Sequence, residues 1–490
     1  METTAPVTET RQSLHSPISL SERAWLAAAA LFVFGLVSAG CQHKPNVLLI
    51  SIDSLRADHV GAYGYQRDTT PTLDRLAASG ARFETAVSST SWTLPAHVAL
   101  FTALPDTAHG VQRPVQALSP DIPTLAQAMR AGGYHTVGFY SGPFLHPVFG
   151  FGRGFDSYID CTSYGAGKRL RSRKSTSAGV RAVSRFHRAS HRDVTNPCIL
   201  RKVTAQLDRL GNRPFFFFVH MWDVHYDYIP PPPYDRLFDA DYQGSMNGRN
   251  FHENKKFRPG MQARDFQHIV ALYDGEIRYT DDTVASLLRE LERLHRLDDT
   301  LVVVVSDHGD EFLDHGGKGH RTTLFDELVR IPLIFSFPGR IPAQQIPEAV
   351  SIIDVAPTIL ELTGLPPMSD VVGRSLIGLI NRAAAPWKPR AVISELQAPP
   401  RPELQAIRGP HEKLILSPSR DRVRYFDLET DPKEQHPIRD RDDPRVQRLS
   451  RELAHRLGEY RAMRAMRGHT DKAVIDPATE AELRSLGYLE

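Results

Sequence analysis

Cysteine is scarce in this chain. Three cysteines among 490 residues, Cys41, Cys161 and Cys198, exclude a disulfide-dense scaffold and offer no spacing for a zinc cluster. Net charge is nearly absent as well, since 59 Lys and Arg meet 57 Asp and Glu to leave +2. That balance supplies no global field for nucleic acid, so no nucleic-acid partner is expected and any anion preference must be local. Internal repeats are also absent. What remains is ordinary globular composition, 41% hydrophobic and 24% charged, with enough chain for a large core.

One long apolar run stands apart at the N-terminus. Arg23 precedes "AWLAAAALFVFGLVSAG", and Ser38-Ala39-Gly40 lead into Cys41. The run reads as a secretory segment followed by small residues before a cysteine. Residues 1–41 resemble a bacterial lipoprotein signal, with Cys41 as the lipidated first residue. An uncleaved anchor or plain secretion would serve the same run. All three export the rest of the chain to the cell envelope or beyond, and the first two tether it to a membrane. In an oxidising compartment Cys161 and Cys198 are free to pair, although two buried thiols fit the count equally well.

Beyond residue 45 the pattern alternates. "NVLLISI", "PFFFFVHM" and "TLVVVVSD" are continuous apolar runs suited to strands buried on both faces, and "YHTVGFYS" and "RIPLIFSF" add two more. Between them lie helical stretches. "PTLDRLAAS" has Thr70 as a cap and Gly80 as an exit, "TLAQAMRA" follows Asp121 and Pro123, an amphipathic stretch covers 283–297, and "DVAPTILELTG" comes later. Alternation of this kind predicts an α/β fold with a large, mostly parallel sheet sandwiched by helices. Residues 46–372 are expected to form that domain, with 168–192 as a basic insertion carrying nine Lys and Arg and no acid. Residues 390–490 are expected to form a small C-terminal α+β subdomain. There "AVISEL", "KLILS" and "VRYFDL" suggest a little antiparallel sheet before a charged helical tail.

In parallel sheets, ligands gather beyond the carboxyl ends of the strands. Three strand ends here deliver carboxylates and imidazoles: Asp53, the segment His220 to His225, and Asp307-His308. Asp53, Asp307 and His308 together make a mixed carboxylate and imidazole set for a divalent cation, although each alone would suit a turn. Thr93 begins "TLPAHVALFTAL", where Pro95 marks the first turn of a helix, so Thr93 reads as its N-cap. A hydroxyl there faces positive helix-end charge, but it needs a metal or a base to become a nucleophile. In "HGGKGH", Lys318 and His320 suit an anionic oxygen, whereas His315 reads as a loop residue. On an extended chain Asp223 and His225 would share a side, which His220 does not; with His320 they could form a second metal site, but their spacing fits a two-metal arrangement poorly and one ion is expected.

These motifs, "NVLLISIDSLRADHVGAYGY", "TLPAHVALFTALP", "FFFFVHMWDVHYDYIPP", "SDHGDEFLDHGGKGHRTTLFDELVRIPLI" and "RYFDLETDPKEQ", resemble the sulfatases of the alkaline-phosphatase superfamily from Asn46 to about Leu428. The resemblance implies a large α/β domain with a small C-terminal subdomain and one divalent ion, with Ca, Mg, Mn and Zn not distinguished. By position, Asp53, Asp307, His308 and Thr93 look like metal ligands. Thr93 also stands at the nucleophile, with His225, Lys318, His320 and His97 among the catalytic positions. Ser54 replaces the second metal-binding Asp of many members. The decisive departure is Thr93 itself. Typical members oxidise a Cys or Ser to formylglycine, and a threonine Cβ already carries a methyl group, so no formylglycine is expected. His97 replaces the arginine that steadies the modified residue. The implied activity is metal-dependent hydrolysis of an anionic sulfuric or phosphoric ester through unmodified Thr93. The substrate would be a glycan, a lipid or a small molecule. A phospho-alcohol transferase acting on envelope lipid or glycan and an inactive binding protein are the alternatives.

Overall fold

The computed structural model describes residues 44–162, 194–381, 387–467 and 471–472. The N-terminal run with Cys41 and the basic stretch 168–192 lie outside the described residues. Among the described residues, no helix is long and apolar enough to cross a membrane. The described residues from Pro45 onward form one compact unit, with the C-terminal sheet as part of it.

Nine strands build the main sheet. They are β1 (Asn46–Ile52), β2 (Ala81–Val87), β3 (His135–Tyr140), β4 (Ser157–Asp160), β5 (Phe215–Met221), β6 (Thr300–Ser306), β7 (Arg330–Ile331), β8 (Leu333–Ser336) and β9 (Gln344–Ser351). Parallel ladders join β6 to β1, β1 to β5, β5 to β3 and β3 to β4. The far edge is mixed. β8 runs antiparallel to both β6 and β2, β7 runs antiparallel to β2, and β9 is parallel to β2. "RIPLIFSF" is therefore two short strands, because Pro332 has no N–H for the ladder.

The central strands are buried along their whole length, so alternate side chains feed two different cores. Val47, Leu49, Val303, Val305, Phe216 and Phe218 pack on one face. Leu48, Ile50, Val302, Val304, Phe217 and Val219 pack on the other. At roughly 1.5–3 kcal/mol per fully buried large apolar side chain, this doubled burial holds the strand ends rigidly in place. Of the helices, α1 (Pro71–Ser79), α4 (Asn196–Leu207) and α5 (Ala263–Arg293) contribute to the second core. The first core takes α2 (Thr93–Thr102), α3 (Leu125–Ala131), α6 (Val355–Leu362) and α7 (Pro444–Met466). The amphipathic stretch expected at 283–297 is thus the end of a 31-residue helix.

Two helix starts differ from expectation. Thr70 does not cap α1; the Asp281 carboxylate on α5 accepts from the Thr72 and Leu73 N–H groups at 2.8 and 2.9 Å. α3 opens on Thr124 with Gln127 in a reciprocal capping box, one residue past Pro123. The C-terminal sheet is an antiparallel meander of β10 (Val392–Leu396), β11 (Leu404–Arg408), β12 (Glu412–Ser417) and β13 (Arg422–Asp427). Cys161 and Cys198 form a disulfide.

Candidate active site

β1 and β6 are neighbours in register, with Ile52 opposite Ser306. The residues just beyond them, Asp53 and Asp307, therefore emerge side by side, and both are fully buried. Ser54 takes a left-handed φ of 57°, which turns the chain so that its N–H donates to Asp307 Oδ1 at 3.2 Å. The Ser54 hydroxyl donates to Asp53 Oδ1 at 2.8 Å. Ser54 thus orients both carboxylates and stands outside the ligand set.

His308 joins them. Its Nδ1 faces the Gly309 carbonyl at 3.0 Å, which can only accept, so Nδ1 carries the proton and Nε2 presents a lone pair. Nε2 lies 3.4 Å from Asp307 Oδ2 and 3.7 Å from Asp53 Oδ1. Thr93 completes the group. Its Oγ1 is 3.3 Å from Asp53 Oδ2 and 3.3 Å from His308 Nε2. Trp92 is the N-cap of α2 and Thr93 the first helical residue, so the helix begins one residue earlier than the sequence pattern suggests. The hydroxyl is therefore turned into the cluster, where it makes no capping bond to the helix backbone.

Two carboxylates this close and this deep are costly together. Burial and the neighbouring Asp53 push Asp307 well above the usual carboxylate range. Burial also opposes ionisation of Asp53, but the hydrogen bond from His220 and the charges of His225 and His308 hold it low. Asp307 Oδ2 is buried with no hydrogen-bond partner among the described residues. An orphaned carboxylate oxygen facing a second carboxylate, an imidazole lone pair and a hydroxyl fits a divalent cation. Asp53, Asp307 and His308 offer ligand atoms within 4.8 Å of one another.

His97 stands directly beside Thr93. Its Nδ1 donates to the Thr93 carbonyl at 2.9 Å, and its Nε2 lies 2.9 Å from the Ser51 hydroxyl. Both nitrogens are engaged, and burial lowers its pKa to about 3. The ring so fixed holds the backbone of Thr93 in place.

On the opposite side stand His225 and His320, with ring centroids 4.9 Å apart. His225 Nδ1 donates to the Tyr226 carbonyl at 2.6 Å. His320 Nδ1 meets Asp310 Oδ1 at 2.7 Å, and the His320 ring is 4.4 Å from that of His308. Burial pushes the Asp310 carboxyl up to about 6, and its other oxygen accepts from the Tyr228 hydroxyl at 2.5 Å. His220, at the strand end named in the sequence, lies 3.3 Å from Asp53 Oδ2, whereas Asp310, three residues after Asp307, was not singled out from the sequence. The acid–x–x–acid spacing in "SDHGDE" was the available signal for Asp310.

The strand-parity reading of Asp223 and His225 fails here. The chain turns immediately after β5, with the His225 N–H on the Trp222 carbonyl at 2.8 Å, so Asp223 and His225 do not follow strand parity. Asp223 instead caps α4, accepting from the Thr195 and Asn196 N–H groups and the Thr195 hydroxyl. The second metal site with His225 and His320 is not assembled. Lys318 donates to the Asn254 and Phe251 carbonyls at 2.7 and 3.2 Å, leaving one of its three donors for an anion. His315 is a loop anchor, as its sequence context suggests, bonded to Glu327 at 2.8 Å and to the Glu434 carbonyl at 3.1 Å.

A helix-borne hydroxyl thus stands beside a buried carboxylate and imidazole cluster at the carboxyl edge of the sheet. The sulfatase family description matches residues 45–365, and that of the N-sulphoglucosamine sulphohydrolase C-terminal region matches residues 315–463. The chain belongs to the sulfatase family. It is 24% identical over 434 residues to an arylsulfatase of Clostridium perfringens, covering 80% of this chain and 89% of that one. The fold matches the phosphonate monoester hydrolase of Agrobacterium radiobacter with a TM-score of 0.66 at 21% identity, over 86% of this chain and 96% of the other. It matches equally, at a TM-score of 0.66 and 18% identity, a protein solved with its substrate D-glucosamine-2-N,6-O-disulfate, over 88% of this chain and 100% of that one.

Proposed function

We propose that the protein hydrolyses sulfuric or phosphoric esters using unmodified Thr93 as the nucleophile. The observation that carries this reading is the Thr93 hydroxyl, 3.3 Å from both Asp53 and His308, inside a buried cluster that is one cation short of balance. Asp53, Asp307, His308 and Thr93 would hold a divalent ion. Such an ion would offset the paired carboxylates and lower the cost of the Thr93 alkoxide.

The remaining steps belong to this chain's own residues. Thr93 Oγ1 gives its proton to the Nε2 lone pair of His225 or His320 and bonds to sulfur or phosphorus as the bond to the leaving oxygen breaks. That oxygen takes a proton from His225 or His320, whose Nδ1 atoms are fixed by Tyr226 and Asp310, so that Nε2 is the working nitrogen. His97 holds the Thr93 carbonyl while Oγ1 reacts. Water then releases the acid from Thr93. Lys318 keeps one donor for the substrate anion.

The substrate is an anionic ester of a glycan, lipid or small molecule. The protein acts outside the cytoplasm, tethered through its N-terminal segment at Cys41. The Cys161–Cys198 disulfide supports an oxidising compartment.

The test is metal analysis of purified protein together with an ester panel of aryl sulfates, phosphate monoesters and phosphate diesters. Wild type should carry a stoichiometric divalent ion and turn over one ester class. Thr93→Ala should lose at least about a thousandfold in kcat, and peptide mass should show Thr93 unmodified. Turnover that survives Thr93→Ala, or no turnover by metal-loaded wild type, would overturn the reading.

A further inference from the structure

Three neighbouring strands deliver side chains to the same face of the sheet at their carboxyl ends. On β1, Val47 and Leu49 point into the core that receives α2, Ser51 continues the alternation, and Asp53 keeps it just past the strand. The ladder still holds there, because the Asp53 N–H donates to the Met221 carbonyl at 3.0 Å. Val303 and Val305 of β6 lead to Asp307 in the same way. On β5 the series is Phe216, Phe218 and His220, with His220 opposite Ser51 in register. His220 therefore faces α2 together with both carboxylates, and its ring centroid is 5.0 Å from that of His97 on α2.

His220 is fully buried, yet neither ring nitrogen has a regular hydrogen bond among the described residues. Its Nε2 lies 3.3 Å from Asp53 Oδ2, a charge contact too bent to count as one. Burying an imidazole in this state is costly, and a cation at Nε2 would satisfy that atom. The same spacing recurs around the cluster. Thr93 Oγ1 to Asp53 Oδ2, Thr93 Oγ1 to His308 Nε2, and His308 Nε2 to Asp307 Oδ2 are 3.3, 3.3 and 3.4 Å. Ligands at about 2.0–2.1 Å from one ion in a tetrahedron stand roughly 3.3–3.4 Å from each other. His220 thus meets Asp53 at the spacing of two ligands on one ion. It also offers a ligand atom within 4.8 Å of atoms from Asp307 and His97, but both His97 nitrogens are committed to Thr93 and Ser51.

Resting on the reading above that this cluster holds a divalent ion, we infer that His220 Nε2 is a further ligand of that ion and makes the site select zinc over calcium or magnesium. With His220, two imidazoles join two carboxylates and the Thr93 hydroxyl. Calcium and magnesium take oxygen ligands, whereas imidazole suits zinc and its first-row neighbours. Without His220, His308 supplies the single nitrogen among oxygens, and the bias towards zinc is lost.

The experiment is X-ray absorption at the zinc edge on the full chain loaded with one equivalent of zinc, beside zinc and calcium titrations of the metal-stripped protein. Wild type should show two imidazoles on zinc, and His220→Asn should show one. Asn keeps a donor for Asp53 but supplies no imidazole. His220→Asn should therefore lose more than the roughly 10–100-fold in zinc affinity that follows loss of a group merely supporting a ligand, while calcium affinity stays almost unchanged. The wild-type imidazole count decides the matter even where the variant fails to fold. A single imidazole overturns the inference and leaves ester hydrolysis through Thr93 standing. Equal losses of zinc and calcium affinity in His220→Asn would also overturn it, because His220 would then act only by holding Asp53. A wild type that binds no divalent ion would fail the ester-hydrolase reading itself, and the inference with it.

Discussion

Two buried clusters of charge lie in this molecule, and they are built on opposite principles. At the seam with the C-terminal sheet, Asp326 meets Lys413 at 2.7 Å and Arg408 at 3.0 Å, and Lys413 also meets Glu434 at 2.8 Å. Two acids face two bases, so the cluster is balanced from within. At the carboxyl edge of β1 and β6, Asp53 and Asp307 face imidazoles, the Thr93 and Ser54 hydroxyls and backbone N–H groups, with no Lys or Arg paired to them among the described residues. Its balance must come from outside the chain. The first cluster is a structural clasp and the second is built to receive a cation.

The largest expected effect breaks the second cluster. Asp307→Asn should abolish stoichiometric metal and cut turnover by about a thousandfold or more, because the cation is worth several kcal/mol of charge stabilisation. In chelator, the same variant should melt no lower than wild type, since it removes one of two repelling carboxylates. A lower melting point in chelator would mean that Asp307 is a structural group after all.

Breaking the clasp should do the reverse. Lys413→Met leaves Asp326 and Glu434 buried without their shared cation and should cost about 3–5 kcal/mol in a denaturant titration. Turnover per folded molecule should stay unchanged. The clasp also predicts a pH signature. Burial raises the Asp326 pKa, but the neighbouring Arg408 and Lys413 outweigh it and hold Asp326 well below its ordinary 3.8. Its contribution is therefore complete above about pH 4 and is lost as pH falls. Burial pushes Glu434 up to about 7, which works in the opposite sense, favouring the folded state below its ordinary 4.5 and fading as pH rises towards 7. Acid denaturation between pH 4 and 2 should accordingly be shallower in Lys413→Met than in wild type.

The smallest effect sharpens the contrast between a structural and a functional carboxylate. Asp223 stands among candidate site residues in the sequence but caps α4. Asp223→Ala should cost about 1–2 kcal/mol of stability and leave the metal content unchanged, which elemental analysis reads directly.

These contrasts also mark what the sequence made legible. β1 falls on the seven residues of "NVLLISI", because a strand buried on both faces must be continuously apolar. Asp53, Asp307, His308 and Thr93 converge because each stands directly at the end of a buried strand or the start of a helix, where local signals are strong. Asp223 was misplaced because a turn after Met221 cancels the two-residue parity on which its reading depended. Pro332 splits one apparent strand, and antiparallel pairing at the β8 edge leaves no local trace. β2 was hidden in "ARFETAV", whose charged Arg82 and Glu84 interrupt the apolar run. Asp310 and Arg321 meet partners far along the chain, Tyr228 and Trp92. No local pattern reports such pairings.

The central claim is that the Thr93 hydroxyl, unmodified, takes the acyl-like acid group from the ester. Quenching metal-loaded wild type in acid during steady-state turnover and mapping its peptides by mass spectrometry tests it most directly. The account predicts a sulfuryl or phosphoryl group on Thr93, in a fraction that rises with substrate concentration and is absent from Thr93→Ala. Steady turnover with Thr93 unsubstituted at every time point, or the adduct on another residue, would contradict it.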